Sequence, residues 1–137
     1  MKPFSHIFRV RYAEVDPQAV VFNSRYLEYA DVIVTEYYRD CRSRGMPADM
    51  EFHVRRAEVD YIVPIRLDEL IEGHLTVTRI GNSSVEKRIT LHGEDGSLRA
   101  EIVLAVVHVD LTSGKPVRVP DDVRAAFGFP VEEEAHG

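Results

Sequence analysis

Apolar and polar positions change period several times along the chain, and each change marks an element. The segment Phe4-Ser5-His6-Ile7-Phe8-Arg9-Val10-Arg11-Tyr12 alternates, with Phe4, Phe8, Val10 and Tyr12 on one face, which predicts a half-buried strand. A turn-rich stretch centred on Asp16-Pro17 follows. From Tyr26 the period becomes helical, because Tyr26, Leu27, Ala30, Ile33, Val34, Tyr37, Tyr38 and Cys41 recur three and four apart. Asn23 or Ser24 is expected to cap this helix with a side-chain oxygen, and Gly45 and Pro47 stop it. A helix of roughly 20 residues would span about 30 Å. Glu28, Asp31, Thr35, Arg39 and Arg42 form only a narrow polar stripe, so most of its surface needs covering.

The second half alternates again. His53 to Val63 puts Ala57, Val59, Tyr61 and Val63 on one face and Arg56, Glu58 and Asp60 on the other, and Pro64 ends the run. Leu70 to Arg79 turns Ile71, Leu75 and Val77 inward, and Ser83 to His92 does the same with Val85, Ile89 and Leu91. Gly81-Asn82 and Asp95-Gly96 supply the turns. Leu98 to Val109 is different: Ile102 to Val107 is apolar without a break, which predicts a strand covered on both faces. The helix covers one face, and a second subunit is expected on the other. Pro120 to Phe127 reads as a short, acid-capped helix. The predicted order is strand, long helix, four consecutive antiparallel strands joined by tight turns, then a small helix. That is an α+β fold in one domain, residues 1–130, with about five strands curled around the helix. Residues 131–137, with Glu132-Glu133-Glu134, are expected to form a frayed acidic tail.

Composition narrows the function classes. A chain of 137 residues, 45% hydrophobic and 29% charged, suits one globular core. Its 17 basic against 23 acidic residues give a net charge of −6, which argues against a nucleic-acid binder but leaves room for a small anion held by a few arginines. No apolar run is long enough to span a membrane, no signal-peptide stretch follows Met1, and Cys41 is alone; a cytoplasmic location is expected.

Common site chemistries are missing. There is no phosphate-binding G-x-x-x-x-G-K-[ST], no G-x-G-x-x-G and no G-x-S-x-G. None of the six histidines forms an H-x-x-x-H pair, so neither a metal nor a cofactor is expected. His6, His74 and His92 read as outer-face strand residues and Cys41 as a buried thiol. Asp16 stands apart. As a structural residue it would start an Asp-Pro turn and accept nearby backbone N–H groups. As a functional one it would attack a carbonyl or deprotonate water, while free N–H groups near Phe22, Asn23 and Ser24 polarise the oxygen. Spacing alone leaves both open.

The segment from Tyr12 to Tyr26, Y-A-E-V-D-P-Q-A-V-V-F-N-S-R-Y, resembles the signature of hotdog-fold acyl-CoA thioesterases, most nearly the 4-hydroxybenzoyl-CoA thioesterase family. The resemblance continues through Glu58-Val59-Asp60-Tyr61-Ile62-Val63-Pro64 and through Asp110 to Val123. It implies a hotdog fold, hydrolysis of an acyl-CoA or acyl-carrier-protein thioester, and sites at the interface of a homodimer or dimer of dimers. It implies Asp16 as nucleophile or general base and the backbone N–H of Asn23 as the group polarising the thioester carbonyl. Phe22 and Tyr26 would lie against the substrate. Coenzyme A phosphates would need local cations, for which Arg56, Lys87, Arg88 and Arg118 are candidates, with Arg55 beside them. Ala19 stands where the family usually has Gly, Asn23 where many relatives have His or Tyr, Val34 where one branch has Arg, and Glu14 where Asp is usual. A non-hydrolytic acyl-thioester-binding protein is the alternative. A hydratase or dehydratase fits less well, since the helix and the turn before it hold no His.

Overall fold

The computed structural model describes residues 3–131, so the acidic run Glu132–Glu134 lies outside the described residues. The elements are β1 (Phe4–Arg9), α1 (Arg25–Ser43), β2 (Phe52–Tyr61), β3 (Leu70–Ile80), β4 (Ser84–His92), β5 (Leu98–His108) and α2 (Asp121–Ala126). The five strands form one curved antiparallel sheet around α1, in the order β1-β3-β4-β5-β2. This is the α+β arrangement expected. Among the described residues no helix is long and apolar enough to cross a membrane.

Helix α1 buries Tyr26, Ala30, Ile33, Tyr37 and Cys41 as its three-and-four spacing predicts, and Tyr29 besides, whereas Leu27, expected on the same face, is 45% exposed and Val34 and Tyr38 are half-buried. It crosses the sheet most closely at Gly73, where an added Cβ would sit 2.4 Å from Ile33 Cδ1. At its C-terminus the N–H of Met46 reaches Cys41 C=O (3.1 Å) and that of Gly45 reaches Arg42 C=O (3.2 Å), with Gly45 at φ +107°. This double bond pattern needs a residue without Cβ and explains the stop. The N-terminus departs from expectation, because neither Asn23 nor Ser24 caps through its side chain. Ser24 is already helical in φ and ψ, and tight-turn carbonyls take the first donors: Arg25 N–H to Phe22 C=O (2.9 Å) and Tyr26 N–H to Asn23 C=O (3.4 Å).

Four further expectations are corrected. First, β2 does not neighbour β3; it pairs with β5 at the sheet edge. The crossover is held by Arg99, whose C=O accepts Ile62 and Val63 N–H (2.9 and 3.1 Å) and whose guanidinium binds Pro64 C=O (2.9 Å) and both Glu69 oxygens (2.7 and 2.8 Å). Second, β1 ends at Arg9, and Tyr12 sits exposed in a one-turn 3-10 helix, Tyr12–Glu14. Third, His6 shares the inward face with Phe4 and Phe8, opposite Gly73, whereas His74 and His92 are on the outer face as expected. Fourth, β2 is not half-buried within this chain: Ala57 is exposed, and Val54 is 62% and Tyr61 55% exposed.

Candidate active site

Val15 and Val21 pair across the loop that precedes α1. Asp16 N–H bonds to Val20 C=O and Ala19 N–H to Asp16 C=O, both at 2.9 Å, closing a tight turn. The turn needs a left-handed residue, and Ala19 supplies it at φ +62°. An alanine there costs on the order of 1 kcal/mol relative to glycine, yet the chain takes the path that glycine would. The loop is fixed to the crossover by Val21 N–H to Ile65 C=O (2.8 Å), Leu67 N–H to Ala19 C=O (3.1 Å), and a bridge between Val20 and Arg66.

The Asp16 carboxylate is half-buried. Its Oδ1 accepts Gln18 N–H (2.8 Å) and Val20 N–H (3.4 Å), which is the turn-forming role. Oδ2 accepts nothing among the described residues, so the same side chain that builds the turn keeps one oxygen for other work. Phe22 N–H goes to Glu14 C=O (3.0 Å), but the N–H groups of Asn23 and Ser24 have no acceptor among the described residues. Two free donors at the positive end of a 19-residue helix are a ready site for an oxyanion. Beside them lies a cavity of about 360 Å3 lined by Val20, Val21, Asn23, Tyr26 and the Tyr61–Pro64 segment.

Two groups hold this geometry. Tyr61 donates its O–H to Asn23 C=O (3.0 Å), fixing the peptide that carries Ser24 N–H. Buried Glu14 accepts Arg11 N–H (2.8 Å), Arg11 Nε–H (3.0 Å) and the Tyr29 hydroxyl (3.0 Å). Burial pushes the Glu14 carboxyl up, but the bonds from Arg11 and Tyr29 outweigh it and hold it below the usual carboxylate range. Burial, with the Glu14 bond, drives the Tyr29 phenol well upward, so Tyr29 stays protonated and donates.

The residues singled out from the sequence are partly brought together. Asn23 and Tyr26 meet at the cavity, and Tyr26 Oη accepts Ile65 N–H (3.4 Å), whereas Asp16 lies in the turn whose far end, Val20 and Val21, lines it. Phe22 is 53% exposed and lines a different depression with Glu14 and Arg25. The phosphate candidates are dispersed and paired: Arg56 with Glu58, Arg88 with Glu101 (2.8 Å), and Arg118 with Asp121 (2.7 Å). Lys87 is not a surface cation at all. It faces α1, fully buried, because its parity is that of Val85, Ile89 and Leu91. Tyr61, Glu14 and Arg66 were passed over. Tyr61 was legible only as a core residue of its strand, and the Arg66 bridge depends on the crossover. Among the described residues no three His, Cys, Asp or Glu are grouped to hold a metal ion.

One long helix inside a curved five-stranded sheet, with a carboxylate turn at the helix start, defines a hotdog-fold protein. The chain belongs to the thioesterase superfamily, whose family model matches residues 18–100, starting just past Asp16. It is 29% identical over 130 residues to the acyl-CoA thioesterase YbgC of Haemophilus influenzae, covering 90% of this chain and 93% of that protein. Among solved structures it resembles a predicted thioesterase from Bacillus stearothermophilus (TM-score 0.83, 20% identity, 96% and 99% of the two chains covered). It also resembles a 1,4-dihydroxy-2-naphthoyl-CoA thioesterase from Synechocystis (TM-score 0.81, 18% identity, 93% and 96% covered).

Proposed function

We propose that the protein hydrolyses acyl-CoA thioesters to free acid and thiol, with Asp16 as the acting carboxylate and the N–H groups of Asn23 and Ser24 as the oxyanion site. The observation that carries this is the division of labour within Asp16: Oδ1 is bonded into the turn and Oδ2 is left without a partner, in the same loop that leads into two backbone donors that also lack one. As general base, Oδ2 takes a proton from water, hydroxide adds to the thioester carbon, and the oxyanion rests on the two N–H groups. Collapse breaks the C–S bond, and the departing thiolate takes up the proton. As nucleophile, Oδ2 would instead form an acyl-aspartyl anhydride that water then opens. A carrier-protein thioester presents the same reacting atoms.

Ala19 and Asn23, the departures that favoured a non-hydrolytic binder, lose that force in this geometry. Ala19 adopts the left-handed turn, and Asn23 contributes through its backbone, which no side-chain change removes. Arg66, whose backbone pairs with Val20 and whose guanidinium has no carboxylate partner among the described residues, is the cation proposed to meet coenzyme A phosphates. Self-association through the exposed β2 edge, as a homodimer or dimer of dimers, would cover Val54 and Tyr61.

The test is thiol release from a panel of acyl-CoAs. Asp16→Asn is expected to lower kcat by about 10²- to 10⁴-fold with an unchanged melting curve. Full activity in that variant would overturn the assignment. A single turnover in ¹⁸O-water tests the covalent route, since label enters Asp16 only when an anhydride is opened at the aspartyl carbonyl.

A further inference from the structure

Lys87 is a cation that the fold buries without neutralising. None of its surface reaches solvent, and no carboxylate among the described residues pairs with it. Its ammonium donates one bond, to Tyr38 Oη, and lies over the rings of Tyr38 (4.4 Å) and Phe52 (5.2 Å). Its other N–H groups, and the Tyr38 hydroxyl proton, meet no acceptor among the described residues. Burial drives the Tyr38 phenol up, so that proton is kept.

Lys87 and Tyr38 both line a cavity of about 230 Å3 between α1 and the inner faces of β2, β4 and β5. Leu27, Val34, Val54 and Leu104 make its apolar walls. Asp31, an exposed carboxylate, also lines the cavity, and its charge adds to the upward push on the Tyr38 phenol. An apolar cavity of about 150 Å3 already accepts benzene, so an acyl group fits. Like the cavity at Asn23, it is bounded by α1 on one side and β2 on the other, with Tyr26 and Leu27 adjacent along the helix.

We propose that this cavity is a terminal subsite for an acyl group carrying a carboxylate at its far end, with Lys87 Nζ and Tyr38 Oη each donating to one carboxylate oxygen. Two adjacent donors match the two oxygens of a carboxylate, and an ammonium already stripped of water gains most from an anion. A methyl terminus would leave both donors unmet. This rests on the thioesterase reading, and the product would be a dicarboxylate.

The experiment compares ω-carboxyl acyl-CoAs with methyl-terminated ones of equal length, from four to sixteen carbons, in the wild type and in Lys87→Met. Wild type is expected to favour the ω-carboxyl series at some length by at least about tenfold in kcat/KM. Lys87→Met should abolish that preference. No wild-type preference at any length, or the same preference in Lys87→Met, overturns the proposal, as does a preference for hydroxyaryl over ω-carboxyl acyl groups. The second arm needs no turnover. Lys2, Lys87 and Lys115 are the only lysines, so a ¹³C-lysine spectrum resolves Lys87 with Lys87→Met as its assignment. Adipate and sebacate, but not the neutral adipamide, should move the Lys87 signal toward its protonated position. No movement with any dicarboxylate overturns the subsite, whereas movement without thiol release from any acyl-CoA overturns hydrolysis and leaves the subsite standing.

Discussion

Glu14 and Lys87 are both buried charged side chains, and the chain treats them differently. Glu14 receives three hydrogen bonds, two from Arg11 and one from Tyr29, and its carboxyl is held ionised. Lys87 receives one neutral partner, and burial pushes its ammonium down to about 7. A charge whose partners come from its own chain works as a structural anchor. One left incomplete in a cavity is where a ligand completes the set. Glu14 serves the site indirectly, because its own C=O receives Phe22 N–H and so leads the chain toward the two free donors.

The comparison can be broken from either side. Removing the anchor should have the larger effect. Glu14→Ala leaves the Tyr29 hydroxyl buried without its acceptor and is expected to cost about 3 kcal/mol in urea unfolding. It should also lower kcat, since the Phe22–Ser24 peptides lose their support. Removing the incomplete charge should do the opposite. Lys87→Met is expected to stabilise the protein by about 1–2 kcal/mol below pH 7, as replacing a buried ion with an apolar group does. The sign follows from the folded pKa of about 7 against 10.5 for a free lysine. Below pH 7 both states are protonated and the folded one bears the whole burial penalty. Between pH 7 and 10.5 the unfolded state binds more protons, so wild-type stability rises with pH by on the order of 1 kcal/mol per unit and the advantage of Lys87→Met shrinks to nothing by about pH 9. Melting curves of both proteins from pH 6 to pH 10 check this, and a constant offset would contradict it. The smallest effect is Tyr29→Phe, which removes one of the Glu14 bonds and should cost about 1 kcal/mol, with the site loop unchanged in amide exchange.

Much of the fold could be read from periodicity. The apolar stripe of α1, the inward residues of β3 and β4, and the two tight turns all follow from spacing, because burial on one face leaves that imprint directly. The neighbours of β2 do not follow, since alternation shows which side a strand buries but not which strand lies beside it. Lys87 is the more instructive case. Its position between Val85 and Ile89 puts it inside by parity, although a lysine is ordinarily a surface residue. His6 repeats the lesson between Phe4 and Phe8. At the site, Asp16 was visible as a residue, but its free Oδ2 and the unbonded N–H groups of Asn23 and Ser24 depend on which neighbouring carbonyls are already taken. That is a property of the folded loop.

The place of β2 at the sheet edge also sets a schedule for synthesis. Its only strand partner among the described residues, β5, is the last strand to be made, so β2 leaves the ribosome well before Leu98–His108 exists. At about 5–20 residues per second, the wait is several seconds. During that time Val54, Val59 and Tyr61 have no strand beside them, and β3 and β4 can form their local hairpin without waiting. The nascent chain should therefore build from the hairpin outward and close last at β2, which makes β2 the segment a chaperone would shield.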